Sequence, residues 1–289
     1  RDDKIYYAVI HIILVLVLIV IGYPLIYIVS SSFSSPTAVS TGKVILWPVD
    51  LSLEGYEAVF KNKDVLSGYL NTIIFTVCGT TINVIMTMFA AYPLSSRKLP
   101  GRNFFLFLFT FTMLFSGGMI PTYILIKDIN MLNTIWAMIL PGAVSVYNLM
   151  ITKTFIQNSI PDELYEASQL DGCTPFRYLL SVVMPLSKPI MAVLTLYYGV
   201  SRWNDYFTAM LYLNKDKLQP LTTIMREILI MSKVDMTKVA DASAVSKLQG
   251  MSDLLKYSTI VVASLPVMLL YPFVQKYLVK GVMIGSVKG

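Results

Sequence analysis

Charge is what this sequence has least of. Of its 289 residues only 14% are Asp, Glu, Lys or Arg, while 55% are hydrophobic; ordinary soluble domains carry about 25% charged residues. So small a polar fraction reads as an integral membrane protein. Histidine occurs once, as His11, with no second titratable group in the same apolar run, which favours packing or an interfacial position over a proton relay. Cysteine occurs twice. Cys78 falls inside an apolar run and Cys173 in a polar turn, so the two cannot pair across a bilayer and no disulfide is expected. The phosphate-cradling pattern G-x-x-x-x-G-K-[ST] is absent, so this chain does not bind ATP in the usual way and must borrow its energy. Metal-ligand spacings, a nucleophile elbow and a paired His and Cys are absent too, which argues against a membrane enzyme and calls for no cofactor.

What is present is long apolar runs. A hydrocarbon core of about 30 Å needs about 20 such residues per helix, and six runs reach or approach that length: Tyr7 to Ser30, Tyr69 to Leu94, Phe104 to Ile126, Asn133 to Ile151, Leu186 to Leu213 and Tyr257 to Val279. The expected fold is all-α, polytopic, with six transmembrane helices. The first run is too long for a signal-peptide core and lacks a small-residue cleavage site after it, so it is expected to stay as an anchor.

The net charge of +6 does not point to nucleic acid, because no basic stripe with interleaved aromatics lies outside the spans. Short connections set topology. The link from Ser95 to Arg102 holds Arg97, Lys98 and Arg102 and no acid, and Lys280 and Lys288 follow the last span. Both belong in the cytosol, which also places the N-terminus and the stretch 158–185 there. The polar segment Ser31 to Ser67, with a short amphipathic helix over Leu53 to Phe60, is then external, as is the segment after Leu213 with a helix over Leu221 to Met231.

Several spans carry polar detail. Thr72, Thr76, Thr80, Asn83 and Thr87 recur at helical spacing and form one stripe, which faces other helices or a wet path rather than lipid. Ser116-Gly117-Gly118 with Pro121, and Pro141-Gly142, break spans three and four. The fifth run is the most polar: Arg202 and Asp205 stand at i, i+3, where they can pair, and Tyr197, Tyr198, Trp203 and Asn204 suit either a sugar path, where aromatic faces stack on rings and an amide bonds hydroxyls, or a packed aromatic cluster.

The stretch Asn158 to Pro189 is a long polar connection with dense punctuation. Ser159 can cap a helix, Pro161 fits a first turn, and Asp162 and Glu163 suit the positive end of the helix dipole. Gly172 can take a left-handed stop, Thr174-Pro175 opens a second helix, and Pro185 ends it. Helix, glycine turn, helix is the result. Taken alone it fits a connector lying against the bilayer.

Glu166-Ala167-Ser168, Asp171-Gly172, Val182, Met184-Pro185-Leu186 and Pro189 together resemble the EAA loop of ABC importer membrane subunits, with Ser168 and Cys173 where alanine is usual and Val182 and Met184 for isoleucine and leucine. The WNDYF run and the KG-ended tail Gly285-Ser286-Val287-Lys288-Gly289 resemble carbohydrate-uptake permeases of MalG-like type. SGGMIPTYIL and LDGCTPFRY look like the LplC/YtcP branch from Gram-positive bacteria. The resemblance implies a type I importer permease as a single transmembrane domain over 1–289, with core spans about 69–279, the coupling loop at 158–189, a cytosolic tail at 280–289 and both termini cytosolic. It implies docking of Glu166, Ala167, Ser168, Asp171 and Gly172 on a cytosolic ABC ATPase dimer, which the tail also contacts. A second homologous permease, an extracellular or periplasmic solute-binding protein and an oligosaccharide substrate complete the set. The loop occurs in importers of other solutes as well. A secondary transporter or channel is the alternative class, and it would show inverted repeats and charged midplane residues, neither of which stands out.

Overall fold

The computed structural model describes residues 2–234 and 242–286, and all the regular structure among them is helical. In chain order the helices are α1 (Asp2–Ser32), α2 (Pro36–Ser40), α3 (Glu54–Lys61), α4 (Lys63–Ser95), α5 (Arg102–Leu114), α6 (Met119–Asp128), α7 (Ile135–Ile139), α8 (Val146–Ser159), α9 (Asp162–Leu170), α10 (Pro175–Tyr178), α11 (Met184–Leu186), α12 (Lys188–Trp203), α13 (Tyr206–Tyr212), α14 (Leu221–Val234) and α15 (Ala242–Ser286).

Three helical segments are long and apolar enough to cross a bilayer unbroken: Lys4–Ser32, Lys63–Ser95 and Gly250–Leu269, with mean hydropathies of 3.0, 1.9 and 1.3. Two bent pairs pass the same test together, α5 with α6 at 110° and Pro175–Leu186 with α12 at 81°. That makes up to five spans among the described residues, where the sequence predicts six. The stretch expected as span four, Asn133 to Ile151, is instead divided into the short α7 and α8 around Pro141-Gly142. Proline lacks the donor that would continue α7, so the break falls where the sequence placed a kink.

The chain gathers into two compact units, Arg1–Tyr69 with Leu221–Pro266, and Leu70–Pro220 with Val267–Gly289. In the first, Val59, Val65, Leu221, Ile224, Val262 and Ala263 form one apolar cluster, and Ala38, Val39, Val44 and Leu254 another. The serine run at the end of α1 is buried rather than solvated: Ser30 Oγ donates to Leu46 O at 2.6 Å, Ser34 Oγ accepts from Val49 N–H at 3.0 Å, and Ser32 Oγ meets the Tyr56 hydroxyl at 2.8 Å. These bonds fasten the loop 43–52 and the amphipathic α3 to the end of α1. Helix α15 crosses α2 so closely that a Cβ on Gly250 would collide with the Pro36 carbonyl, so only glycine fits there.

In the second unit the core holds Met88, Ala91, Leu149, Leu194 and Tyr198. The stripe of α4 turns inward, as its spacing predicts: Thr72, Thr80, Asn83 and Thr87 are buried and Thr76 is half-buried. The final carbonyls of α4 are closed by side chains, with Arg102 Nε donating to Leu94 O at 2.9 Å and Gln157 Nε2 to Ser95 O at 2.7 Å. A helix end needs such partners when water is kept from it.

Candidate functional site

The stretch expected to form helix, glycine turn and helix does so. Helix α9 ends in a paired closing motif: Cys173 N–H donates to Ser168 O at 2.9 Å and Gly172 N–H to Gln169 O at 3.0 Å, with Gly172 at φ +71°. This is the Schellman arrangement, which needs a left-handed residue just past the cap. Thr174 then caps α10 by accepting from Arg177 N–H at 3.3 Å.

Two details of punctuation differ from expectation. Ser159 does not cap α9; it is the last residue of α8, because the buried Ile156 and Ile160 carry α8 through it, and Pro161 occupies the cap position without a side-chain bond. Pro185 does not end the second helix. The chain widens into a π-turn over Leu179–Val183 and passes through Pro185 to Leu186. An extra residue per turn moves the carbonyl that a proline ring would strike, and Ser187 N–H closes the last turn on Val183 O at 2.9 Å.

Helix α9 buries none of its own residues. Glu166, Ala167, Asp171 and Gly172 are exposed and Ser168 is half-buried, its hydroxyl donating back to Tyr165 O at 2.7 Å. Leu170 is 90% exposed. The seat beneath is aromatic: Tyr165 packs edge-on against the buried Tyr178, ring centroids 5.3 Å apart, beside a cleft of ≈ 840 Å³ lined by Gln157, Pro161, Gln169 and Pro175. Glu166 Oε1 meets Lys98 Nζ at 3.1 Å, which joins the three-base link to the helix. Both side chains are largely exposed, so the bond itself is worth at most about 1 kcal/mol. Sequence reasoning marked Lys98 for topology only; nothing in the spacing pairs it with Glu166.

The second group of expected residues divides. Tyr198 is buried, its hydroxyl accepting from Ser145 N–H at 3.0 Å and bonding Thr87 Oγ1 at 2.7 Å, which ties α12 to α4 and to the start of α8. Trp203 is buried as well. Tyr197 and Asn204 are exposed and, with Tyr198, line a cavity of ≈ 750 Å³ that also includes Asn83, Ser201 and Asp205. The fifth run is not one helix to Leu213. Asn204 closes α12, and Asp205 caps α13 by accepting from Thr208 N–H at 3.1 Å. An aspartate offering its carboxylate to a free N–H starts a new helix more readily than it continues one.

Arg202 and Asp205 pair as their spacing predicts, at 3.7 Å, with side chains 9% and 18% exposed. The larger role of Arg202 was not legible. Its Nη1 donates to Met138 O at 2.6 Å and its Nη2 to Ile139 O and Pro141 O at 2.9 and 3.1 Å. The guanidinium thus caps the C-terminal end of α7, where carbonyls are free and the helix dipole is negative. Of the expected tail, Gly285 and Ser286 end α15, whereas Val287, Lys288 and Gly289 lie outside the described residues.

Residues 2–284 match the family described as binding-protein-dependent transport system inner membrane component. The chain is 40% identical over 269 residues to the polygalacturonan/rhamnogalacturonan transport system permease protein YtcP of Bacillus subtilis (strain 168), covering 92% of each. It is 40% identical over 267 residues to protein LplC of the same organism, covering 92% of this chain and 89% of that one. Among solved structures it resembles a chain of a bacterial ABC transporter involved in the import of the acidic polysaccharide alginate, with a TM-score of 0.86 and 33% identity over 96% of this chain and 98% of that chain. Helices apolar enough to cross the bilayer, an exposed helix turned on Gly172 and these matches over nearly the whole chain agree: the protein belongs to the binding-protein-dependent transport system inner membrane components, as a multi-pass permease of the cytoplasmic membrane.

Proposed function

We propose that the chain is one of two homologous permease subunits in an ATP-driven importer of carbohydrates, chiefly oligosaccharides, that receives its solute from a binding protein and its energy from a cytosolic ATPase dimer. The carbohydrate assignment is supported by the relatives named for saccharide transport. The coupling role is carried by α9. A helix of nine residues that buries none of them, with Leu170 exposed at its end, is held by its caps and by Tyr165 rather than by a core of its own. Such a helix is completed by a partner. Glu166, Ala167, Ser168, Asp171 and Gly172 form the docking face, small in the middle so that a cleft can close on it. Lys98 holds Glu166 until a basic group on the ATPase replaces it.

Glu166→Lys places two cations together in the docking face and removes the acidic contact. The expected result is normal membrane insertion with co-purification of the ATPase, and binding-protein-stimulated ATP hydrolysis, each reduced about tenfold, the equivalent of one charge-assisted bond. Wild-type values for both would remove the docking assignment.

The same reading, with α7 and α8 together crossing as a sixth, broken span, places the link at Arg97, Lys98 and Arg102, the coupling helix and both chain ends in the cytosol. Lys61 and Arg97 flank the two ends of the continuous α4. In intact cells an impermeant maleimide is expected to label Lys61→Cys and not Arg97→Cys; labelling in the reverse order would invert the topology.

A further inference from the structure

We infer that the cavity beside α12 is a subsite for an uncharged, hydroxyl-rich sugar ring, and that it does not take a uronate. This rests on the importer reading above and narrows its substrate. The cavity is lined by Asn83, Ser145, Asn148, Ser201, Asn204 and Asp205. So many polar groups do not face hydrocarbon, where their unfilled donors and acceptors would stay unpaired; they face water, a solute or protein. Asn83 is 1% exposed, and its Oδ1 has no hydrogen-bond partner. A buried amide oxygen left in that state is costly, and a ligand hydroxyl satisfies it.

Charge decides between sugars. Among the described residues lining the cavity, Arg202 and Asp205 are the formally charged ones, and they cancel. Arg202 is not available to a ligand. Both its terminal nitrogens are committed to the carbonyls of Met138, Ile139 and Pro141 and to Asp205, and only 9% of its side chain is exposed. A carboxylate entering here meets no free cation, and it meets the Asp205 carboxylate at close range. A neutral hydroxyl can donate to Asn83 Oδ1 and to the open lone pairs of Asp205. Tyr197, 42% exposed on the same wall, offers a ring face for the apolar side of a pyranose. The relatives named for acidic polymers therefore do not fix what this cavity accepts.

The test uses the assembled importer without binding protein, so that delivery does not set specificity. Cys78 and Cys173 are replaced by alanine, and a single cysteine is placed at Ser201 or, as a second reporter, at the exposed Phe207 in the same lining. Labelling by a maleimide is followed with galactotriose and trigalacturonate, which differ in carrying a hydroxymethyl or a carboxylate on each ring. Galactotriose is expected to slow labelling at both positions and trigalacturonate to leave it unchanged. Asn83→Ala should raise the galactotriose needed about tenfold, the equivalent of one buried hydrogen bond. Protection by trigalacturonate at equal or lower concentration overturns the substrate class and leaves the sugar path standing. Protection by neither sugar at either position removes the subsite. Failure to label even without sugar means that the second permease fills the cavity, which also overturns it. The importer assignment itself is judged separately, by Glu166→Lys.

Discussion

Arg202→Ala is expected to leave little folded protein. The substitution strips the Met138, Ile139 and Pro141 carbonyls of their donor and leaves Asp205 as an uncompensated carboxylate whose side chain is 18% exposed. Breaking a buried charge pair by removing one member costs about 3–5 kcal/mol, a large part of the roughly 5–15 kcal/mol by which a typical domain is stable. The loss falls on one joint. Helix α7 has only five residues, too few to hold its own shape without a cap at its C-terminal end, and the Arg202 stem reaches it by running past Gly79 on α4. The measurement is the yield of monodisperse protein in detergent and its thermal midpoint. Arg202→Lys keeps the charge but cannot reach three carbonyls in a fork, and it should fall between alanine and wild type. A well-folded Arg202→Ala protein that merely lost uptake would make Arg202 a solute ligand, against the structural role assigned to it.

Gly172→Val is expected to do the opposite, leaving the membrane part folded and uncoupling it. The space around Gly172 is open, with nothing within 4 Å of a Cβ placed there, so the cost comes from backbone alone. A β-branched residue at φ +71° is strained by about 1–3 kcal/mol. That strain is concentrated on the two bonds that close α9, Cys173 N–H to Ser168 O and Gly172 N–H to Gln169 O. Relief by opening the turn tilts α9 away from the Tyr165–Tyr178 seat. A rigid element that has to transmit a movement fails when its hinge is loosened. Binding-protein-stimulated ATP hydrolysis should drop about tenfold or more while the thermal midpoint shifts little, since each tenfold corresponds to about 1.4 kcal/mol. Gly172→Asn, which tolerates the left-handed region, should retain most of the coupling. Equal activity in the valine and wild-type complexes would dissociate the turn from the transport cycle.

Sequence alone settled whatever depends on local pattern or on composition. Scarce charge and long apolar runs gave the membrane class, because burial of apolar surface is a sum over residues and needs no knowledge of neighbours. The stop at Gly172, the start at Thr174-Pro175, the amphipathic α3 and the inward stripe of α4 come from spacing and backbone preference within a few residues. The tertiary structure decided everything that joins distant residues. Ser159 belongs to α8 because Ile156 and Ile160 are buried; Pro185 is passed by a π-turn; run four is two short helices; and run five stops at Trp203 because Asp205 caps a separate helix, α13. Lys98 reaches Glu166 across 68 positions, and Arg202 reaches back across 61 to 64 positions to cap α7. Tyr198 and Trp203, read from their side chains as path residues or packing, are buried, while the oxygen left open in the cavity belongs to Asn83, on another helix. A side chain's type limits which bonds it can form, but which of them it forms depends on the groups that folding brings within about 3 Å, and that proximity is not written in spacing.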